Sequence, residues 1–171
     1  MAEPGHRLTL VLGGARSGKS RHAEALIRQY PAPWLYIATA QALDDEMAER
    51  IALHRRERGE GWSTREAPLD LAAAVAATAA RPALVDCLTL WLSNHLLAGS
   101  DLEAESGGLA KALEAAPGPL VLVANEVGQG IVPDNALARR FRDAAGRLNQ
   151  RVAAVADSVV LMVAGLPLQV K

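Results

Sequence analysis

Gly13-Gly14-Ala15-Arg16-Ser17-Gly18-Lys19-Ser20 spells G-x-x-x-x-G-K-[ST], the pattern of a loop that wraps phosphate. Just before it, Arg7-Leu8-Thr9-Leu10-Val11-Leu12 is short, apolar and branched, as a buried strand is. Just after it, Ala23, Leu26, Ile27 and Tyr30 recur at i, i+3, i+4 and i+7, one face of a helix. A strand that feeds a glycine-rich turn into a helix brings free backbone N–H groups and the positive end of a helix dipole to one point. All eight loop residues are therefore nucleotide-binding candidates. Lys19 is placed to reach the β and γ phosphates as a point charge, and the Ser20 hydroxyl to ligate Mg²⁺. The expected ligand is a nucleoside triphosphate.

Downstream of the loop, strands and helices alternate. Trp34-Leu35-Tyr36-Ile37-Ala38 reads as a second strand, ending at Thr39-Ala40-Gln41. Ligands of open parallel sheets sit beyond the carboxyl ends of strands, so these three residues either line the nucleotide site or form an ordinary turn. Asp44-Asp45-Glu46 opens a helix with acids where its dipole favours them. Met47, Ile51 and His54 share its apolar face, with Arg50, Arg55, Arg56 and Arg58 close by. A histidine so placed suits either a phosphate or a buried hydrogen bond, and the arginines alone suit a solvated face. Gly59-Glu60-Gly61 breaks the helix, and a strand over Trp62–Ala67 carries Glu66 near its end. Pro68-Leu69-Asp70 caps a helix whose apolar face is Leu71, Ala72, Val75, Ala76 and Ala79. Pro82-Ala83-Leu84-Val85 is a further strand closed by Asp86, either the second Mg²⁺ holder of a phosphate-loop protein or the N-cap of the helix beginning at Leu88.

That helix bears Leu88, Trp91, Leu92, His95 and Leu96, with His95 read as a core or interface residue. Ser100–Gly108 is polar and glycine-containing, hence expected as a surface loop, with a short helix over Leu109–Ala116. Pro119-Leu120-Val121-Leu122-Val123-Ala124 is strongly strand-like and empties into Asn125-Glu126-Val127-Gly128-Gln129-Gly130-Ile131-Val132-Pro133, a long loop on the ligand side. Glu126 there suits either ligand contact or turn geometry. Asp134 or Asn135 caps a long helix with the stripe Leu137, Phe141, Ala145, Leu148, Val152 and Val155. Arg139, Arg140, Arg142, Arg147 and Arg151 fall on its other face. Ser158–Val163 is a last buried strand, and Leu166–Val170 can return beside it as an antiparallel edge. The pattern predicts an α/β fold with a mostly parallel sheet and helices on both faces.

Composition narrows the partners. The 171 residues suit a single domain spanning 1–171 with a substantial core. A formal net charge of −1 gives no sign of a nucleic-acid partner. Cys87 is the one cysteine, so no internal disulfide forms, and a reducing cytoplasm fits. Met1–His6 lacks an apolar signal core, and no apolar run approaches a membrane span.

Several motifs together resemble one family. They are Gly13–Ser20 with Arg21-His22-Ala23-Glu24-Ala25, Tyr36-Ile37-Ala38-Thr39, Asp44-Asp45-Glu46-Met47, and Arg50-Ile51 with His54. To these add Leu84-Val85-Asp86-Cys87-Leu88, the Asn125–Pro133 loop and Gly146-Arg147-Leu148-Asn149-Gln150-Arg151. From about Leu8 to Lys171 the chain resembles the bifunctional adenosylcobinamide kinase / adenosylcobinamide-phosphate guanylyltransferase family of cobalamin biosynthesis. The resemblance implies a RecA-like phosphate-loop sheet, six strands parallel and one antiparallel, in a homotrimer. It implies phosphorylation of the aminopropanol hydroxyl of adenosylcobinamide, then transfer of GMP from GTP through a histidine to adenosylcobinamide phosphate. GTP and Mg²⁺ are the implied cofactors, with ATP a second candidate for the kinase step. The guanylylated histidine falls on His54. Nucleotide-binding positions fall on the phosphate loop, the turn Thr39, Ala40 and Gln41, the run Arg55, Arg56, Glu57 and Arg58, and on Glu66 and Asp86.

A neutral imidazole is a good nucleophile toward phosphorus and a good leaving group from it, so His54 suits a two-step transfer. Two other readings use the same loop. A different small-molecule kinase needs the loop and Asp86 but no covalent nucleotide. A GTP-sensing module needs the loop and no turnover. Guanine selectivity has no local signature here, since Asn125-Glu126 is not an N-K-x-D motif.

Overall fold

Branched apolar residues with neighbours on both sides make strand β1 (Leu8–Gly13) the centre of the protein, with Leu8, Leu10 and Val11 wholly buried. The computed structural model describes residues 7–42 and 44–171, and only the backbone at Arg50, His54, Arg55 and Glu57. The elements follow in the order β1, α1 (Lys19–Ile27), β2 (Trp34–Ala38), α2 (Asp45–Arg58), β3 (Trp62–Glu66), α3 (Leu71–Ala76) and β4 (Ala83–Asp86). Then come α4 (Leu88–Leu97), α5 (Leu102–Glu114), β5 (Leu120–Asn125), α6 (Ala136–Val155), β6 (Ser158–Val163) and β7 (Leu166–Gln169).

Among the described residues, seven strands form one sheet in the order β3-β2-β4-β5-β1-β6-β7. Every neighbouring pair is parallel except β6 with β7, as the alternating pattern and the resemblance predict. The register sets Gly13 beside Asn125, Ala38 beside Asp86, and Asp86 beside Val123. One carboxyl edge thus collects the phosphate loop, Asp86 and Asn125. Side chains alternate between faces. Val11, Tyr36, Leu84, Val121, Val123 and Val160 pack on one face with Ala23, Leu26 and Ile27 of α1. Leu8, Leu10, Leu35, Val85 and Leu122 pack on the other, with Leu88, Trp91, Leu109, Leu148 and Val152.

Several local expectations are corrected. Ser100–Gly108 is not a loop: α5 starts at Leu102, and Asp101 caps it by accepting from the backbone N–H groups of Glu103 and Ala104 at 3.0 and 3.1 Å. Ser106, Leu109, Ala110 and Leu113 are its buried face, and Gly107 faces α6 near the Arg151 guanidinium, where the missing side chain eases the approach. The expected short helix is the second half of α5. The Cys87 sulfur, not the Asp86 carboxylate, occupies the N-cap of α4 and accepts from the Leu90 N–H at 3.5 Å. Asn135, not Asp134, caps α6, accepting from Ala138 N–H at 2.7 Å. Asp70 precedes α3 without a side-chain cap, and Ala79 lies beyond that helix. Leu137 is 54% exposed, so the buried stripe of α6 begins only at Ala144. Tyr30 lies past the end of α1. His95 is a core residue as read: its Nδ1 meets Ser100 Oγ at 2.9 Å and its Nε2 the Leu69 carbonyl at 3.2 Å. No helix among the described residues is long and apolar enough to cross a membrane.

Candidate functional site

The loop between β1 and α1 has the backbone its glycines allow. Gly18 has φ +90°, a left-handed conformation that an L side chain strains, and it sits at the N-cap of α1. A Cβ on Gly13 would stand 2.3 Å from Ser17 Oγ, so only glycine lets the loop fold back over the strand end. The loop is tied down by Ser17 N–H to the Gly14 carbonyl at 3.3 Å and by Gly165 N–H to the Ser17 carbonyl at 3.0 Å. Lys19 Nζ reaches back to donate to the Gly14 carbonyl at 3.0 Å. The Ser17 hydroxyl is buried in the loop with no hydrogen-bond partner among the described residues. A buried polar group without a partner is costly, and a phosphate oxygen in this cradle would supply one.

Beside the loop lies a cavity of about 320 Å³. Lys19 and Ser20 line it from α1, Asp86 from β4, Asn125 from β5, Tyr36 and Ala38 from β2, and Met47, Ile51 and Arg58 from α2. The pairing of the Ser20 hydroxyl with the Asp86 carboxylate is a hard-oxygen donor set. It suits Mg²⁺, which takes one or two protein oxygens and completes its shell with water and substrate phosphates. Ser20 and Asp86 would hold the ion, and the charge it supplies would favour phosphoryl chemistry.

Tyr36 and Arg58 form one wall. Arg58 is 5% exposed, and its guanidinium stacks 3.6 Å from the centroid of the Tyr36 ring. Arg28 donates to the Arg58 carbonyl at 2.7 Å, which ties down the end of α2. Burial raises the Tyr36 phenol far above its ordinary range, and the Asp86 charge with its hydrogen bond to the phenol raises it further. Tyr36 therefore stays a hydrogen-bond donor to Asp86 at all working pH values. Burial foremost, then Asp86, pushes the Cys87 thiol up to about 11.

The expected nucleotide residues divide among three neighbouring spaces. Lys19, Ser20, Arg58 and Asp86 meet in the first cavity, which Ala40 also lines. Ala40, Gln41, Arg56 and Glu66 line a second, of about 770 Å³, with Ala48, Ile51 and Ala52 of α2. Gly14, Ala15, Arg16 and Ser17 line a third, of about 480 Å³, together with Glu126 and Gln129. There Glu126 Oε1 accepts from Gly128 N–H at 2.6 Å, so the carboxylate also fixes the turn. Thr39 lies wholly buried, and its hydroxyl donates to the Cys87 carbonyl at 2.7 Å and accepts from the Cys87 N–H at 2.8 Å. It holds the turn after Asp86. The side chains of His54, Arg55 and Glu57 lie outside the described residues; their helix is α2, whose Met47 and Ile51 face the first cavity.

Sequence reading missed Tyr36, Asn125 and Thr89, whose hydroxyl accepts from the Asn125 N–H at 2.7 Å. The usable signal was the strand period: Asn125 follows Val121 and Val123 on the face that carries Leu84 and Asp86.

A parallel sheet with a phosphate loop at β1 and a carboxylate at the end of β4 defines a P-loop NTPase of RecA-like architecture. Solved structures agree on the fold. A prototypical ATPase from the type III secretion system of pathogenic bacteria superposes with TM-score 0.56 and 15% identity, over 92% of this chain and 51% of that one. The PH0250 protein of Pyrococcus horikoshii gives TM-score 0.53 at 10% identity, over 95% and 85%. Within that class the chain belongs to the cobinamide kinase / cobinamide phosphate guanyltransferase family, whose sequence profile matches residues 9–170. It is 50% identical to the bifunctional adenosylcobalamin biosynthesis protein CobP of Pseudomonas aeruginosa over 95% of this chain and 96% of that one. It is 46% identical to the bifunctional protein CobU of Salmonella typhimurium and 45% to that of Escherichia coli, in each case over 96% of this chain and 99% of the relative.

Proposed function

We propose that the protein phosphorylates adenosylcobinamide and then converts the phosphate to adenosylcobinamide-GDP through a GMP–His54 intermediate. The observation that carries this reading is the 50% identity to a bifunctional relative over nearly the full length of both chains. In the kinase step the acceptor hydroxyl attacks the γ-phosphorus and the nucleoside diphosphate leaves. In the second step an unprotonated imidazole nitrogen of His54 attacks the α-phosphorus of GTP and pyrophosphate leaves. A phosphate oxygen of adenosylcobinamide phosphate then attacks the same phosphorus, and the P–N bond breaks.

The chain's own groups suit both steps. Gly13–Ser20 presents backbone N–H groups to the β and γ phosphates, and Lys19 adds a charge where negative charge develops. Ser20 and Asp86 would hold Mg²⁺. Arg58, buried at the cavity wall, and Arg55 and Arg56 on the same helix are the arginines for the α-phosphate. Ala40, Gln41, Glu57 and Glu66 complete the nucleotide site, while Thr39, expected there from the resemblance, is wholly buried and instead fixes the Cys87 backbone behind it. GTP serves the transfer, and GTP or ATP the kinase step. A homotrimer in the cytoplasm completes the reading; Ile131 at 97% and Leu166 at 71% exposed are apolar surface that a subunit contact would cover.

The test is a pair of assays on one preparation, phosphorylation of adenosylcobinamide and formation of adenosylcobinamide-GDP from GTP. Both products are expected. A chain that phosphorylates a different small molecule and never makes the GDP product would favour the plain kinase, and binding without turnover the sensing module.

A further inference from the structure

We propose that the Asn125 carboxamide is a catalytic residue of the kinase step, contacting the γ-phosphoryl group as it is transferred. The proposal rests on the kinase reading above and adds a residue to that site. Three observations carry it. Asn125 is the last residue of β5, the strand between the phosphate-loop strand and the Asp86 strand, and it pairs in register with Gly13. Strand alternation puts it on the same face as Asp86 and the start of α1, and it lines the cavity with Lys19, Ser20 and Asp86. Its backbone is fixed on both sides: the N–H donates to Thr89 Oγ1 at 2.7 Å, and the carbonyl accepts from Asn149 Nδ2 at 3.5 Å. Among the described residues the carboxamide has no partner of its own, so a pre-positioned donor faces the cavity.

An amide N–H there suits the equatorial oxygens of the outermost phosphoryl group, which carry the charge of the transition state. The reaction balances without a proton on Asn125. The acceptor oxygen bonds to the γ-phosphorus, the bond to the β-bridging oxygen breaks with its electron pair on the nucleoside diphosphate, and the hydroxyl proton leaves to solvent. GMP transfer breaks the α–β linkage, so in that reaction the same contact only helps hold GTP.

The experiment compares Mg²⁺-dependent binding of GDP and of the β,γ-imido analogue of GTP to the wild type, Asn125→Ala and the nearly isosteric Asn125→Leu. Loss of one hydrogen bond to a charged oxygen predicts triphosphate binding weaker by about 10- to 100-fold, with GDP affinity within about twofold. Kinase kcat should fall by a similar factor or more, and the KM for GTP in GMP labelling should rise. Equal losses for the two nucleotides, or no loss for either, would overturn the contact. A melting profile on each variant identifies a folding defect, and the second substitution decides if the first unfolds. A wild type that phosphorylates no corrinoid would sink the proposed activity, whereas the two affinities still decide the Asn125 contact.

Discussion

Replacing Thr39 by valine keeps the shape of a fully buried side chain and removes the hydroxyl that bonds both polar groups of the Cys87 backbone. The two losses are unequal. The Cys87 carbonyl keeps the Trp91 N–H at 3.2 Å, so it loses only a second partner. The Cys87 N–H is left without one. An orphaned buried donor costs about 1–3 kcal/mol and a lost ordinary hydrogen bond about 1 kcal/mol, so the sum is about 2–4 kcal/mol. For a domain of this size that lowers Tm by roughly 5–12 °C. Thr39→Ser keeps the hydroxyl and gives up one methyl, which costs about 1 kcal/mol. Calorimetric melting of the two variants is the assay. Since Cys87 follows Asp86, the valine variant should also need more Mg²⁺ for half-maximal activity, and the serine variant should not. A valine variant that melts within about 2 °C of wild type, or that loses no more stability than the serine variant, would refute the clamp.

Lys19→Ala should abolish both reactions, with at least the 10²–10³-fold loss typical of removing one stabilising contact to developing charge; near-normal turnover in either assay would argue against a shared phosphate loop. Asp86→Asn should raise the Mg²⁺ requirement while the fold survives, and an unchanged Mg²⁺ titration would leave the carboxylate no metal role. The Cys87 thiol gives a pH prediction. The unfolded thiol loses its proton near its ordinary value of 9.0, whereas the folded one holds it to about 11. Stability is therefore intact below pH 9 and declines as pH rises toward 11, and Cys87→Ala should flatten that decline in chemical denaturation.

The strands and the phosphate loop were legible because their signals are local. An apolar run such as Leu120–Ala124 has no other stable home, and Gly13–Ser20 needs its glycines wherever it occurs. Errors arose where tertiary packing decides. Gly107-Gly108 reads as a break, yet the Asp101 cap and burial of Leu109 and Leu113 hold the segment helical. Leu137 has the right period for the stripe of α6 but lies where that helix has run past the core. Thr39 and Tyr36 act through β4, the sheet neighbour of β2, and strand order is not written in either segment. Asn125 stands before two glycines and reads as turn chemistry until β5 is seen beside β1. For His54, spacing left a phosphate and a buried hydrogen bond equally open, and the family motifs supplied the choice.

The claim at the centre of the account is the covalent step at His54. Wild type and His54→Ala are incubated with α-labelled GTP and Mg²⁺, denatured, and split between acid and base. The wild type should keep label that acid removes and base does not, as a phosphoramidate does. His54→Ala should keep none and make no adenosylcobinamide-GDP, while still phosphorylating adenosylcobinamide. Label retained on His54→Ala, or GDP product formed by it at a rate near wild type, would contradict the account and point to another nucleophile, His22 first.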